Sequence, residues 1–243
     1  HKVVPLLVQR MGGRKITKVR VLRTCAVGES NIDRVIGDLM TMNNPTVGLA
    51  AHTGQTDVRI TAKAESEEEA DVLIAGVEEE LRRRLGVAIY GVGKETVPEV
   101  VGCLINEMDL KLGVIDTLTK GQLARDLNEA GFAQLVTTDL NLAGPREARE
   151  HLDSDSNKGD PPGLAASLAR LVTPEDGLGI AMLGPFEDNT TFIALSISGD
   201  VQLLKGSRRY QDTDSARRWI ATQGLDWIRR VLLGRLESPA DWN

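Results

Sequence analysis

The chain has 243 residues, of which 41% are hydrophobic, 26% are charged and only 3% are aromatic. This length allows one large or two small domains, and the scarcity of aromatic residues means that Val, Leu, Ile and Ala must build the cores. The net charge of −6 divides unevenly into +2 for residues 1–94 and −8 for the remainder, which predicts two units with different surfaces. The sequence has no run of eighteen apolar residues and no signal peptide, so we expect a cytoplasmic protein without a membrane partner.

The first segment, residues 2–11, has an apolar pattern typical of a helix, and Gly12 and Gly13 end it. The sequence begins at His1 rather than Met, so a fragment of a longer chain is expected. We interpret residues 1–13 as the last helix of an upstream domain.

Residues 14–92 predict a unit in the order strand, helix, strand, strand, helix, strand. The two central strands, 46–51 and 57–64, are joined by a hairpin with Gly54 at its turn. Ser30 is the predicted N-cap of the first helix. The second helix, 66–85, pairs three glutamates with three arginines at i, i+4, which indicates a solvated helix face and not a phosphate-binding patch.

After a predicted linker at residues 91–94, strands and helices alternate from residue 96 to residue 236. This alternation predicts a sheet with helices on its faces. Residues 153–162 are the most loop-like in the chain. Cys25 and Cys103 are interpreted as buried thiols, and their pattern predicts no zinc site. We expect neither a metal nor a cofactor.

Residues 110–123 are the most informative stretch of this second unit. An apolar strand leads into a polar turn, Asp116 to Gly121, and a helix follows from Gln122. Small hydroxyl residues between a strand and a helix often hold a nucleophile or an anion, because the first N–H groups of the helix are unpaired there. The same pattern also occurs in plain strand–helix connections, so Asp116, Thr117 and Thr119 are candidates on both interpretations.

Several motifs of the chain match those of one protein family. They are V-L-R-T-C-x-x-G-E-S at residues 21–30, P-T-V-x-x-x-A-x-x-G at 45–54, V-R-I-T-A-K-A at 58–64, E-E-E-L-R-R-R-L-G-x-x-I-Y-G at 78–91 and T-V-P-E-V-V at 96–101. With these motifs the chain resembles the CinA family, competence/damage-inducible protein A, over nearly its whole length.

The resemblance implies an α/β (α+β) fold class with two domains. A KH-like βαββαβ domain would occupy residues 14–92, and an α/β sandwich domain of the nicotinamide-nucleotide amidohydrolase type would occupy residues 95–236, followed by a tail at 237–243. The family's upstream domain, a molybdopterin-binding-like fold associated with nucleotide diphosphate hydrolysis, would be missing except for residues 1–13.

The second domain departs from the family at its catalytic motifs. Where the family has A-E-S-C-T-G-G, with the serine as nucleophile on nicotinamide mononucleotide, this chain has I-D-T-L-T-K-G at residues 115–121. Thr117 therefore stands for the serine and Lys120 for the first glycine. The remaining family positions fall on Thr138 for a tyrosine, Ala143 for a lysine, Leu183 for a loop hydroxyl and Arg217 for a retained arginine.

Three functions follow as hypotheses. The first is a CinA-like protein whose deamidase-like domain has lost its catalytic motif and serves as a scaffold, dimerisation surface or nucleotide-binding module. In that case Thr117, Thr119 and Arg217 are the candidate ligand residues, for a pyridine mononucleotide, in a homo-oligomer. The second is an active amidohydrolase that uses Thr117 with Lys120 or Asp116 as partner. The third, RNA binding by the KH-like domain, is disfavoured because no G-x-x-G loop follows the first helix and +2 is a small basic balance.

Overall fold

The computed structural model describes residues 15–152, 160–206 and 210–236. These residues form two compact units, which divide between Glu95 and Thr96. In this part of the chain, no helix is long and apolar enough to cross a membrane. The predicted helix in residues 1–13, most of the predicted loop and the tail lie outside the described residues.

The first unit is a four-stranded antiparallel sheet with the strand order β2-β3-β1-β4. Its elements are β1 Ile16–Cys25, α1 Glu29–Ile36, β2 Thr46–His52, β3 Gln55–Ala64, α2 Glu67–Leu85 and β4 Ile89–Val92. Short 3₁₀ turns occupy Leu39–Thr41 and Gly86–Ala88. The predicted βαββαβ order is confirmed.

Alternating apolar residues of β1 and β3 place one sheet face against the helices. Leu22, Val58 and Ile60 are fully buried there, with Ile74 and Leu81 of α2 in the same core. A substantial apolar core holds this unit together, because each fully buried Leu or Ile contributes about 1.5–3 kcal/mol.

Two local predictions for the helices of this unit are corrected. Ser30 lies inside α1, and Gly28 occupies the N-cap position without a side-chain cap. On α2, Arg83 pairs with Glu80 at i, i+3 instead of with Glu79. Arg84 pairs with Glu80 as predicted and also bonds Asp38, so it leaves the solvated face to fix the segment after α1.

The second unit, Thr96–Leu236, is a five-stranded mixed sheet in the order β6-β5-β7-β8-β9. Strands β6, β5 and β7 are parallel, whereas β8 and β9 are antiparallel to their neighbours. Its elements are α3 Val97–Glu107, β5 Lys111–Asp116, α4 Gln122–Glu129, β6 Val136–Asn141, α5 Pro145–Arg149, α6 Pro161–Val172, β7 Gly177–Leu183, β8 Phe192–Ile197, β9 Asp200–Lys205 and α7 Asp214–Leu232.

Helices cover both faces of this sheet. On one face α6 packs against β7 and β8, where Ala181 and Leu183 are buried. On the other face Gly224 of α7 lets the helix approach Ile180 and Met182, and α3 and α4 pack beside it. The mixed α/β fold class is confirmed.

Strand β6 begins at Val136, after a 3₁₀ turn at Ala133–Leu135, and the short helix α5 precedes the predicted loop. Two predictions for this unit are corrected. The last helix ends at Leu232 rather than at residue 236. Cys103 is exposed on α3, so only Cys25 is the buried thiol that was predicted.

The predicted linker at residues 91–94 is largely part of the first unit. Gly91 and Val92 end β4, and the N–H of Gly93 donates to Val21 O at 2.8 Å. Arg23 Nε donates to Gly93 O at 2.8 Å. These bonds anchor the chain as far as Gly93, which the glycine content of the segment did not indicate.

Candidate functional site

The turn between β5 and α4 is organised by the carboxylate of Asp116. This residue is the last of β5 and is completely buried. Its Oδ1 accepts the N–H groups of Leu118 and Thr119, each at 2.8 Å. Its Oδ2 accepts the N–H of Gly121 at 2.8 Å and the hydroxyl of Thr119 at 2.5 Å. Four donors therefore compensate one buried carboxylate, and the N–H groups of Leu118, Thr119 and Gly121 are not free to bind an external anion.

Thr117 uses its hydroxyl to join this turn to the end of β7. Its Oγ1 donates to Gly184 O at 2.8 Å and accepts the N–H of Gly184 at 2.9 Å. The backbone N–H of Thr117 donates to Met182 O at 2.9 Å. The Thr117 hydroxyl thus both donates a hydrogen bond to the backbone of Gly184 and accepts one from it.

Two adjacent residues of the turn have left-handed backbones. Lys120 has φ 55° and Gly121 has φ 75°. A Cβ at Gly121 would also lie 2.7 Å from Asn141 Nδ2, so the end of that side chain would have to shift. Lys120 adopts a conformation that favours glycine, and its side chain is extended toward solvent. A glycine would adopt the φ of Lys120 without the steric cost of a Cβ.

Lys120 and Arg217 share one carboxylate, that of Asp212. Lys120 Nζ lies 2.9 Å from Oδ2, and Arg217 Nε lies 2.7 Å from Oδ1. Arg217 also bonds Asp214, at 2.5 Å. The hydrogen bond from Arg217 has the largest effect and that from Lys120 the next largest, and together they lower the pKa of Asp212 to about 2. Arg217 is therefore paired with acids of its own chain.

Tyr210 adds a further bond between this segment and the turn. Its hydroxyl donates to Leu118 O at 2.8 Å. Burial, followed by the negative charge of Asp212, raises the pKa of Tyr210 to about 12, so the phenol stays protonated at neutral pH. Tyr210 and Asp212 were not singled out from the sequence, because their role depends on contact with a distant turn. Leu118, which accepts the hydrogen bond from Tyr210, lies 92 positions earlier in the chain.

The other candidate positions are not bonded to Thr117. Thr138 pairs with Gly113 in the sheet, whereas Asn141 is the β6 residue opposite Asp116. Ala143 N–H donates to Glu147 Oε2 at 2.6 Å, and Leu183 is buried under α6. The structure therefore brings together Asp116, Thr117, Thr119, Lys120 and Arg217 through the bonds described. It places Thr138, Ala143 and Leu183 in separate structural roles.

Two of the cavities in this unit are lined by described residues. The first has a volume of about 410 Å³ and is lined by Thr191, Tyr210, Gln211, Thr213, Ser215, Ala216, Trp219, Ile220 and Gln223. The second has a volume of about 610 Å³ and is lined by Pro145, Arg146, Arg149, Pro161, Pro185, Phe186, Glu187 and Asp188. Neither of these two cavities is lined by Thr117 or Arg217. Within the described ranges, no cluster of three or more His, Cys, Asp or Glu side chains could hold a metal ion.

The architecture defines the class of protein: an α/β protein with an antiparallel KH-like unit followed by a mixed-sheet sandwich. Residues 19–91 match the family model of the damage-inducible protein CinA KH domain. A CinA-like protein of Dictyoglomus thermophilum is 32% identical over 250 residues, which cover 95% of this chain and 60% of that relative. A putative competence-damage inducible protein of Clostridium perfringens strain SM101 is 38% identical over 253 residues, covering 96% and 60%.

The chain belongs to the CinA family. It spans about 60% of the length of the relatives named above. A crystal structure of a competence or damage-inducible protein from Enterobacter asburiae aligns to 58% of this chain and 99% of its own, with a TM-score of 0.42 and 14% sequence identity.

Proposed function

We propose that the second unit of this CinA-family chain is a non-catalytic member of the amidohydrolase type, in which the former catalytic turn has become a structural connection. The observation that carries the proposal is the bonding of Thr117. Its hydroxyl proton is directed at Gly184 O, and the Gly184 N–H occupies a lone pair of the same oxygen. A hydroxyl nucleophile needs instead a base that accepts its proton and an open path to a carbonyl carbon.

Neither partner considered for an active site supports catalysis by Thr117. Asp116 already accepts four hydrogen bonds, and its two oxygens face the turn backbone and Thr119. Lys120 is paired with Asp212. Among the described residues, no carboxylate, amine or imidazole is hydrogen-bonded to the Thr117 hydroxyl. Asp116 already accepts the N–H groups of Leu118, Thr119 and Gly121, so an oxyanion would not find these three donors free.

The proposal is tested by the release of ammonia from nicotinamide mononucleotide by the purified chain. We expect no turnover by the unmodified protein. The same absence is expected for Thr117→Ser, because a serine hydroxyl at this position would meet the same two groups of Gly184 and still lack a base. Turnover by either protein at about 1 per second or faster, an ordinary rate for enzymes, would contradict the proposal. Loss of that activity in Thr117→Val would then identify Thr117 as the nucleophile.

We do not extend the proposal to a pyridine mononucleotide bound at the three candidate residues. Thr117 and Thr119 use their hydroxyls in internal bonds, and Arg217 is paired with Asp212 and Asp214. A homo-oligomer remains a prediction, which light scattering of the purified chain would check.

A further inference from the structure

The smaller of the two cavities has features of a binding site that the proposed function does not use. Its volume of about 410 Å³ is within the range of sites for small organic molecules. It lies between the first turns of α7, the segment 210–213 and Thr191, next to the start of β8. Because β8 runs antiparallel to β7, this is the edge at which the parallel strands end, where open α/β sheets commonly bind ligands.

The walls of the cavity combine an aromatic surface with hydrogen-bonding side chains. Trp219 is partly exposed and contributes an indole, and the buried Ile220 follows it on the helix. Gln211 and Gln223 each contribute a side-chain amide, and neither amide is hydrogen-bonded to any described residue. An amide offers a donor and an acceptor side by side, which matches the edge of a nucleobase, and an indole stacks on the face of such a ring.

The described lining of the cavity carries no charge that would bind a strongly charged ligand. All nine of the described lining residues are uncharged. Of the described cations next to the lining residues in sequence, Arg217 is engaged by Asp212 and Asp214, and Arg218 is exposed. A phosphate inside the cavity would lose hydration without meeting a cation among the described lining residues.

The cavity is also held in place before any ligand binds. Tyr210 is fixed at both ends, since its hydroxyl donates to Leu118 O and its carbonyl accepts from Asn189 Nδ2 at 3.2 Å. Asp212 is held by two cations, and Thr213 caps α7 by accepting the N–H of Ala216 at 3.2 Å. A wall fixed in this way loses little conformational entropy on binding.

We propose that this cavity binds an uncharged nucleoside, with the base stacked on Trp219 and its polar edge on the amides of Gln211 and Gln223. The inference goes beyond the proposed function, because it concerns binding without turnover at residues separate from Thr117.

The test is calorimetric titration of the purified chain with adenosine, guanosine, cytidine and uridine, and with the corresponding 5′-monophosphates. We expect at least one nucleoside to bind with a Kd below about 1 mM and its monophosphate to bind at least about tenfold more weakly. Absence of binding by all four nucleosides overturns the proposal. A monophosphate that binds as tightly as its nucleoside also overturns it.

Variants place the ligand in the cavity. Trp219→Leu removes the stacking surface, and Gln223→Leu removes one amide while keeping a side chain of similar size; each is expected to weaken binding at least about tenfold. Gln134→Leu is the matched control, because Gln134 is exposed outside the cavity, and it should leave the Kd unchanged. If Trp219→Leu fails to fold, Gln223→Leu alone decides. Unchanged binding in Gln223→Leu, or equal weakening in the Gln134→Leu control, contradicts the assignment.

Discussion

At the scale of single residues, the second unit contains a buried carboxylate, Asp116, which hydrogen bonds from its own turn stabilise. Asp116 accepts hydrogen bonds from three backbone N–H groups and one hydroxyl. These four donors would lose their partner without its carboxylate. From the sequence, Asp116 was a candidate on two interpretations. The number of hydrogen-bond donors around it depends on the path of the turn backbone, which residue type alone does not determine.

Asp116→Asn tests this role with a side chain of nearly the same shape. Asparagine presents NH₂ where Oδ1 or Oδ2 now accepts, so donors would face donors in a buried turn. We expect the free energy of unfolding to fall by about 2–4 kcal/mol in denaturant titrations. Asp176→Asn is the control, since Asp176 is exposed in the same unit, and its effect should stay within about 0.5 kcal/mol. Equal effects of the two variants would contradict the structural role of Asp116.

Thr117→Val tests the connection to Gly184 separately from activity. Valine keeps the branched shape but cannot donate to Gly184 O or accept from its N–H. The expected loss of stability is about 1–3 kcal/mol, because two backbone groups lose their partner. Thr117→Ser retains the hydroxyl and should lose less than half as much. If both variants unfold at the same denaturant concentration, the hydroxyl bonds contribute nothing measurable.

Lys120 allows a test of backbone strain. Its φ of 55° lies in the left-handed region. A residue with a Cβ adopts this region at a cost of roughly 1 kcal/mol, which glycine avoids. Lys120→Gly and Lys120→Ala both lose the exposed pair with Asp212, so their difference isolates the backbone. We expect the glycine variant to be more stable by about 1 kcal/mol. At exposed Glu79 within α2 the order should reverse, with alanine the more stable. A more stable alanine at position 120 would contradict the left-handed backbone.

At the scale of elements, periodicity predicted most of the strands and helices but not how closely they pack. The buried stripe of α2 and the alternation of β3 were readable because each repeats at the period of its own backbone. The glycines of β5 and β7 carried no such signal. A Cβ at Gly113 would lie 1.7 Å from Val172 O, and one at Gly179 would lie 2.0 Å from Ala169 O. These two positions bring the backbone of α6 directly onto the sheet.

Gly179→Ala is therefore expected to separate α6 from the sheet locally. The added methyl group meets backbone, which cannot rotate away, and the expected loss of stability is about 3 kcal/mol or more. Gly48→Ala in β2 is the matched strand control, because nothing lies within 4 Å of its Cβ position. It should change stability by less than about 1 kcal/mol. Similar losses at both glycines would contradict the close approach of α6.

The candidate site illustrates the same division between what was predictable and what was not. A turn at residues 116–121 and a helix from Gln122 were predicted correctly. The neighbours of that turn come from Gly184, Asn141, Tyr210 and Asp212, which are far away in the sequence. Local patterns contain no information about such partners, and only the strand order of the sheet brings them to one edge.

At the scale of the whole chain, hydrogen bonds of the first unit extend up to its boundary with the second. The first unit extends past β4, because Gly93 exchanges bonds with Val21 and Arg23. The hydroxyl of Tyr90 also lies 3.3 Å from Glu95 O. A boundary drawn from glycine content alone would cut through these contacts.

Two fragments of the first unit test this boundary. A fragment of residues 1–95 should be more stable than one of residues 1–91, because the shorter one leaves Arg23 without the Gly93 carbonyl and removes the end of β4. We expect a difference of about 1–3 kcal/mol in the free energy of unfolding. Limited proteolysis of the intact chain should accordingly spare residues 91–93. Equal stabilities, or rapid cleavage at Gly93, would restore the linker that the sequence predicted.

The unequal exposure of the two cysteines has a practical consequence. Cys25 is buried in the first unit, while Cys103 is exposed on α3 of the second. A thiol-reactive fluorophore or spin label added to the native protein should therefore attach at Cys103 alone. The unmodified sequence thus supplies a single reporter position in the second unit, through which its unfolding can be observed separately from that of the first.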